Sequence, residues 1–230
     1  ISGSGLQFDG TNDRLFIPDH DYLDFTGSFT VEAWARRTSS GKRHNIVSKG
    51  DINQRNYWLQ FTKSGYIEFG WETQSGSNHG AMTSSPISDT NWHHIAGVYD
   101  REAGYSRIFI DGVRVRNKSD SGTPVTNQEP VYVGARLADG ELEYFLEGTL
   151  DLVRLSNGAL YTTDFSVPMQ YGSQDSVEAA ILQWTAPMQG TAVSYNVYRS
   201  VDGGASVQQN DMPILDNTFA DIHMVSGNSC

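Results

Sequence analysis

Short runs in which apolar and polar residues alternate dominate the chain. Residues 29–35 alternate with a period of two, and so do residues 57–61, 94–99 and 107–111. Because neighbouring side chains of a strand point to opposite faces, this period predicts strands with one buried face. Turn dipeptides such as Asp111-Gly112 separate the runs, and no stretch longer than about ten residues has helical periodicity. The pattern predicts an all-β fold of the sandwich or jelly-roll type.

The pattern changes after Phe165 and predicts a domain boundary. Residues 166–176 include a proline, a glycine and several small polar residues, which is typical of a linker. Strand patterns then resume at residues 178–187 and 193–200. We therefore predict a jelly-roll domain over residues 1–167, a linker over 168–176 and a small β segment over 177–230.

Composition and charge narrow the classes of function. The 230 residues include 16 Lys and Arg against 27 Asp and Glu, a net charge of −11. Nucleic acids and anionic membrane surfaces attract basic proteins, so this balance argues against both partners. No apolar run approaches the roughly 20 residues of a membrane span, so membrane insertion is not expected. The one cysteine, Cys230, excludes an internal disulfide framework.

Seven phrases in a fixed order carry a family resemblance. They include Leu-Gln-Phe-Asp-Gly-Thr-Asn-Asp at residues 6–13, Trp-His-His-Ile-Ala-Gly-Val-Tyr at 92–99 and Gly-Thr-Leu-Asp-Leu-Val-Arg-Leu-Ser at 148–156. Residues 4–165 resemble the laminin-G-like jelly-roll family of the concanavalin A-like lectin/glucanase superfamily. The resemblance implies an all-β concanavalin A-like jelly-roll β-sandwich. Residues 177–230 resemble the first part of a fibronectin type III domain, through Ile-Leu-Gln-Trp-Thr-Ala-Pro at residues 181–187.

A cluster of acidic and amide residues near the start of the chain is a candidate calcium site. Asp9, Asn12 and Asp13 lie within five positions around Gly10. Calcium takes six to eight oxygen ligands, which such a turn supplies in part. The resemblance implies that the first and last strands lie together and that Asp9 and Asp151 hold a structural Ca²⁺, with Asn12 and Asp13 nearby. The alternative is that Asp9 and Asn12 only make turn hydrogen bonds and that Asp151 is solvated.

The faces of two neighbouring strands predict a sugar-binding platform. Leu59, Phe61, Ile67 and Phe69 share the parity that we assign to the core. The candidate ligand-binding residues are Trp58, Gln60, Tyr66 and Glu68, which then point outward, together with Trp71 at a strand end beside the polar loop 72–85. Aromatic rings stack on the apolar faces of sugars, while amides and carboxylates bind their hydroxyl groups. The alternative is that Trp58 packs under a loop or at a contact between domains.

Two further sets of residues complete the prediction. We assign Trp34 and Trp92 to the core because they fall in the family phrases. Six cations lie within twenty positions, a region that favours acidic or sulfated glycans unless it is an ordinary solvated loop; they are Arg36, Arg37, Lys42, Arg43, Lys49 and Arg55.

No catalytic residues are predicted. The Glu-x-Asp-x-x-Glu motif of the superfamily's glucanases is missing from the sequence, and so are the motifs of nucleophilic and zinc hydrolases. We expect a non-catalytic, calcium-stabilised carbohydrate-binding module of a secreted or cell-surface bacterial protein, which binds a polysaccharide or glycoconjugate. The alternatives are a domain that binds a protein partner in adhesion and, less favoured, a polysaccharide-degrading enzyme.

Overall fold

The fold is all-β, as the alternating pattern predicts. A computed structural model describes residues 5–167 and, in the C-terminal part, residues 180–184, 198–200, 207–208 and 218–221. A 3-10 turn, η1, covers Asp21–Leu23. No helix in the described part of the chain is long and apolar enough to cross a membrane.

The strands are short and follow one another closely along the chain. In order they are β1 Leu6–Asp9, β2 Arg14–Ile17, β3 Phe29–Arg37, β4 His44–Lys49, β5 Tyr57–Phe61, β6 Ile67–Glu72, β7 Asn78–Met82, β8 His93–Asp100, β9 Tyr105–Ile110, β10 Val113–Ser119, β11 Val131–Val133, β12 Arg136–Ala138, β13 Glu141–Glu143, β14 Glu147–Ser156, β15 Ala180–Trp184, β16 Tyr198–Ser200, β17 Val207–Gln208 and β18 Thr218–Asp221.

Two large sheets form the sandwich. Sheet A has the order β10-β9-β8-β3-β14-β15-β18, with β1 also paired to β14. Sheet B has the order β17-β16-β2-β11-β4-β5-β6-β7, and β12 and β13 form a separate hairpin. The alternation of strands between the sheets, in which β3 and β4 lie in different sheets, is the crossing pattern of a jelly roll.

The core lies between the sheets and is rich in aromatic rings. Phe29 of β3 contacts Tyr57, Phe69 and Tyr99, with ring centroids 6.1, 5.6 and 5.9 Å away. Aromatic side chains contribute a large apolar area and prefer such tilted contacts. The predicted inward residues Leu59, Phe61, Ile67 and Phe69 are all buried in this core, so the assignment of faces on β5 and β6 is confirmed.

The core assignment of two tryptophans is wrong. Val31, Ala33 and Ala35 of β3 face the core, so the alternation places Trp34 on the outer face of sheet A. There the Trp34 ring meets His94 edge-on at 5.6 Å. Trp92 is half-buried, and the guanidinium of Arg36 lies 5.5 Å from its ring centroid.

The C-terminal strands pair with both sheets through their backbones. In sheet A, Arg154 and Leu155 of β14 pair in parallel with Gln183 and Trp184 of β15. In sheet B, β16 pairs antiparallel with β2. The predicted linker at 168–176 lies outside the described residues, and the fibronectin type III-like assignment of 177–230 stays a prediction.

One glycine lets the two sheets approach each other. Gly97 of β8 faces Phe69 of β6, and a Cβ atom on Gly97 would lie 2.2 Å from Cδ2 of Phe69. Such a contact is impossible without movement of the ring, and the ring is fully enclosed by the core.

We predict that Gly97→Ala lowers the free energy of unfolding by about 1–3 kcal/mol, because the added methyl group overpacks the core. Chemical denaturation measures the change. Gly27→Ala is the matched control, since no atom lies within 4 Å of its Cβ position, and its effect should stay within about 0.5 kcal/mol. Equal stability of the two variants would contradict the packing proposed for Gly97.

Candidate functional site

A groove of about 970 Å³ lies on the outer face of sheet B. Its floor comes from β5 and β6, where Trp58, Gln60 and Glu68 alternate with the core residues of the same strands. One wall is β7 together with the edge strand β10 of sheet A, and the other carries Arg136 of β12 and Tyr144. The strand alternation thus produces the core on one side of β5 and β6 and the groove on the other.

The floor depends on two adjacent glycines. Trp58 pairs with Gly70, which pairs in turn with Gly80. A Cβ atom on Gly70 would lie 2.2 Å from Cζ2 of Trp58, and Gly80 has a φ of +114°. The indole therefore lies across backbone that has no side chain. The guanidinium of Arg55 covers it, 4.1 Å from the ring centroid, and leaves Trp58 only 3% exposed.

Polar atoms at the floor form a connected set. Gln60 Nε2 donates to Glu68 Oε2 at 2.9 Å, and the Arg43 guanidinium donates to the same oxygen at 2.6 Å. Trp58 Nε1 and Gln60 Oε1 are buried and have no hydrogen-bond partner among the described residues. Buried polar atoms are nearly always satisfied, so this donor and this acceptor are two unsatisfied polar atoms in the lining of one groove.

The wall formed by β7 is held by a histidine and a buried carboxylate. The His79 ring stacks on Trp71 with centroids 4.2 Å apart, and His79 Nδ1 lies 2.7 Å from Asp120 Oδ1. The Asp120 carboxylate also accepts from the Gly80 amide and from the Ser106 hydroxyl, each at 2.7 Å. These contacts fix the orientation of the imidazole beside the groove.

The opposite wall carries a strained tyrosine. Tyr144 has a φ of +56°, a backbone conformation that is uncommon for a bulky residue. The Arg136 guanidinium covers its ring at 4.2 Å and also forms an ion pair with Glu143 at 2.6 Å. Backbone strain of this kind concentrates at functional sites, and here the Tyr144 ring and the Arg136 guanidinium both line the groove.

Four of the five residues predicted to bind ligand line this groove, namely Trp58, Gln60, Tyr66 and Glu68. Trp71 does not. It is fully buried in the core, between His79 and Tyr99, because it shares the inward parity of Ile67 and Phe69. Trp58 is enclosed beneath Arg55, so it forms a floor and not an open stacking surface.

The cluster of six cations does not form one surface. Arg43 and Arg55 reach the groove. Lys49 is completely buried, with Nζ 2.6 Å from Asp19 and 2.9 Å from Asp24, and Arg37 is buried against the Phe61 ring. Three cations from outside the predicted cluster, Arg116, Lys118 and Arg136, also line the groove. The first two stand two positions apart on β10, a spacing that places them on one side of the strand.

The predicted calcium ligands do not meet at one point. In the register of β1 and β14, Asp9 lies opposite Glu147, and Asp151 lies four residues further along. At about 3.3 Å per residue, roughly 13 Å of strand separates them. The carboxylates near the turn accept backbone amides: Asp9 Oδ1 from Thr11 at 2.7 Å, and Asp13 Oδ2 from Asp9 at 2.9 Å.

Asp9 makes the turn hydrogen bonds of the alternative, since its Oδ1 accepts from the amides of Thr11 and Asn12. Asn12 Oδ1 is buried without a hydrogen-bond partner among the described residues, but no group of three or more His, Cys, Asp or Glu side chains in the described part of the chain is arranged to hold a metal. Asp151 does not fit a site with Asp9, Asn12 and Asp13. Burial raises the pKa of the Asp151 carboxyl, although its Oδ1 accepts the Leu152 amide at 2.8 Å.

Comparison with protein families matches residues 9–164 to Laminin_G_3, of the concanavalin A-like lectin/glucanases superfamily. That range is most of the chain. The chain belongs to this family. The predicted resemblance of residues 4–165 is therefore confirmed, and the sheet topology agrees with the concanavalin A-like jelly roll.

Solved structures share the fold of this laminin G-like chain at low identity. The CBM40 of the Ruminococcus gnavus IT-sialidase bound to α2,3-sialyllactose is 13% identical, with a TM-score of 0.55, and the match covers 68% of this chain and 92% of that one. A heptameric SAP-like pentraxin from Limulus polyphemus is 18% identical, with a TM-score of 0.52 and coverage of 68% and 76%. At these identities the likeness concerns the fold.

A curated relative extends well beyond the matched region. The β subunit of N,N-dimethylformamidase from an Alcaligenes species is 27% identical over 128 residues, which are 53% of this chain and 17% of that protein. The laminin G-like chain thus spans less than a fifth of the relative's length.

The contact between Gly70 and the Trp58 ring predicts that substitutions at these two residues have non-additive effects on stability. Gly70→Ala should lower stability by about 1–3 kcal/mol by displacing the Trp58 ring, with a change in the near-ultraviolet circular dichroism of the indole. In a Trp58→Ala background the same substitution should cost less, because the contacting ring is gone. Equal costs in the two backgrounds would show that Trp58 does not lie on Gly70.

The half-buried carboxyl of Asp151 predicts a pH-dependent difference in stability between wild type and Asp151→Asn. A pKa raised by folding means that ionisation of Asp151 opposes folding at neutral pH. Asp151→Asn keeps the acceptor for the Leu152 amide, so the variant should be at least as stable as wild type at pH 7. The difference should shrink as the pH falls through the folded pKa towards the unfolded value near 3.9.

Melting curves in calcium and in chelator check this expectation. Destabilisation of Asp151→Asn in calcium, absent in chelator, would instead assign Asp151 to a calcium site.

Proposed function

We propose that this chain is a non-catalytic carbohydrate-binding domain and that its ligand lies in the groove of sheet B. The observation that carries the proposal is the unpaired donor of Trp58 Nε1 beside the unpaired acceptor of Gln60 Oε1 on the groove floor. Adjacent sugar hydroxyls offer both a donor and an acceptor, so a saccharide that displaces the covering side chains, Arg55 among them, can satisfy the two atoms.

The groove also has the general character of a saccharide site. Its lining includes the Gln60 amide, the Glu68 carboxylate and the Trp58 indole, and the hydrogen bonds from Gln60 and Arg43 hold the carboxylate in a fixed position. Fixed polar groups of this kind orient a ligand, because they lose little freedom on binding. The family and the fold shared with a sialyllactose-bound CBM40 support a carbohydrate ligand.

The charges of the groove argue against glycoside hydrolysis. Retaining and inverting glycosidases need two carboxyl groups about 5–9.5 Å apart. Among the described residues that line the groove, Glu68 supplies the one carboxylate, and Arg43 and Gln60 already bind its Oε2. A binding role in a larger protein, secreted or at the cell surface, completes the proposal. Calcium stabilisation stays a prediction.

The first test is a glycan array with the wild type and with Gln60→Leu. Loss of one amide that bonds a ligand hydroxyl should weaken affinity for the array hit by about tenfold, while the melting temperature shows that the variant stays folded. Gln74→Leu is the matched control, since Gln74 is exposed and does not line the groove.

Two results would contradict the proposal. One is a folded wild-type protein that binds no glycan on the array. The other is a glycan hit whose affinity is the same for wild type, Gln60→Leu and Gln74→Leu, which would place the carbohydrate elsewhere on the protein.

A further inference from the structure

The groove has the opposite charge to the rest of the protein. The chain has a net charge of −11, yet five of its 16 Lys and Arg residues line this one groove. Among the described residues, the lining contains a single carboxylate, that of Glu68. A local excess of cations on an acidic protein is not expected from random placement, so it points to the ligand.

Three of the five cations have carboxylate partners. Arg43 pairs with Glu68 at 2.6 Å and Arg136 pairs with Glu143 at 2.6 Å, while Arg55 pairs with the buried Glu72. These pairs leave the guanidinium groups in place but largely neutralised. The three ion pairs therefore fix the shape of the groove and add little net positive charge to it.

The other two cations have no such partner. Arg116 and Lys118 are exposed on β10, and no described residue forms an ion pair with either. Lys118 Nζ donates to the Gly80 carbonyl at 2.8 Å, which holds the ammonium over the β7 wall. Two unneutralised cations thus project from one strand into the mouth of the groove.

Two of the aromatic rings that line the groove are covered by guanidinium groups. Arg55 covers the Trp58 ring and Arg136 covers the Tyr144 ring, at 4.1 and 4.2 Å. A neutral sugar that binds by stacking needs an open ring face, and these two faces are occupied by guanidinium groups. At these two rings the groove therefore presents N–H donors where a neutral-sugar platform presents carbon.

We propose that the groove selects an anionic saccharide, whose carboxylate or sulfate group lies between Arg116 and Lys118. The inference rests on the proposed carbohydrate-binding function and adds the class of the ligand. Arginine binds either anion through two parallel N–H donors, and lysine adds a point charge. The sugar hydroxyls then face Gln60 and Glu68 on the floor.

Matched pairs of polysaccharides distinguish the contribution of the sugar's charge to affinity from that of its uncharged backbone. Oligogalacturonate and its methyl ester differ by the carboxylate charge, and dextran sulfate and dextran differ by the sulfate. We expect one anionic probe to bind at least about tenfold more tightly than its neutral counterpart. Its affinity should fall as sodium chloride is raised, because exposed charges are screened.

Matched variants locate the effect. The double variant Arg116→Gln/Lys118→Gln should lose at least about tenfold in affinity for the anionic probe and keep its melting temperature. Lys42→Gln/Lys63→Gln removes the same charge from two exposed lysines outside the groove, and should bind as wild type does. The probe that binds identifies the anion as carboxylate or sulfate.

Three outcomes would overturn the inference. If the neutral probes bind as well as the anionic ones, or if the glycan array yields only neutral hits in the groove, the ligand is not anionic and the carbohydrate-binding proposal stands. If both double variants lose the same affinity, the effect is one of net charge and not of the groove. If no probe binds and the array is silent, the inference and the proposed function fail together.

Discussion

The contact between Phe69 and Gly97 holds β6 of one sheet against β8 of the other. It fixes the distance between the sheets and, with it, the orientation of β6. Because strand side chains alternate, the same orientation that buries Ile67 and Phe69 turns Glu68 and Gly70 to the outer surface. The groove is thus the reverse side of the core, and a shift of β6 that disturbs one must disturb the other.

Two glycines and one arginine determine that the Trp58 ring on the groove floor is covered and not open for stacking. Because Gly70 and Gly80 have no side chains, the Trp58 indole can lie directly against the backbone of the sheet. The Arg55 guanidinium then fills the space above the ring and is itself held by the buried carboxylate of Glu72. A buried ion pair contributes little net stability, but it places a planar cation with high precision. The indole Nε1 is left without a partner among the described residues.

The period-two pattern was sufficient to predict the all-β fold and the two faces of β5 and β6. It placed Trp58, Gln60, Tyr66 and Glu68 on one surface without knowledge of their neighbours. Trp71 lies next to a polar loop, but its inward parity determines its position, and it is fully buried. The loop does not lift the ring out of the sandwich, where it packs against Tyr99 at 4.6 Å.

Features that depend on long-range pairing were beyond the sequence. The register of β1 on β14 decides that Asp9 faces Glu147 and not Asp151, and no local pattern encodes it. The groove wall that carries Arg116 and Lys118 forms because β10, at the edge of sheet A, lies beside β7, at the edge of sheet B. Arg116 and Lys118 were visible as cations, but the sequence offered no sign that they stand opposite Arg136.

An acidic protein with a basic groove has a physical consequence for recognition. The Debye length is about 8 Å at physiological ionic strength. Salt therefore screens an anion in the groove from most of the negative surface of the protein. At longer range the net charge of −11 repels anions and gives no electrostatic steering. Selection of the proposed anion must then occur at contact, through the geometry of the N–H donors and the fixed polar floor.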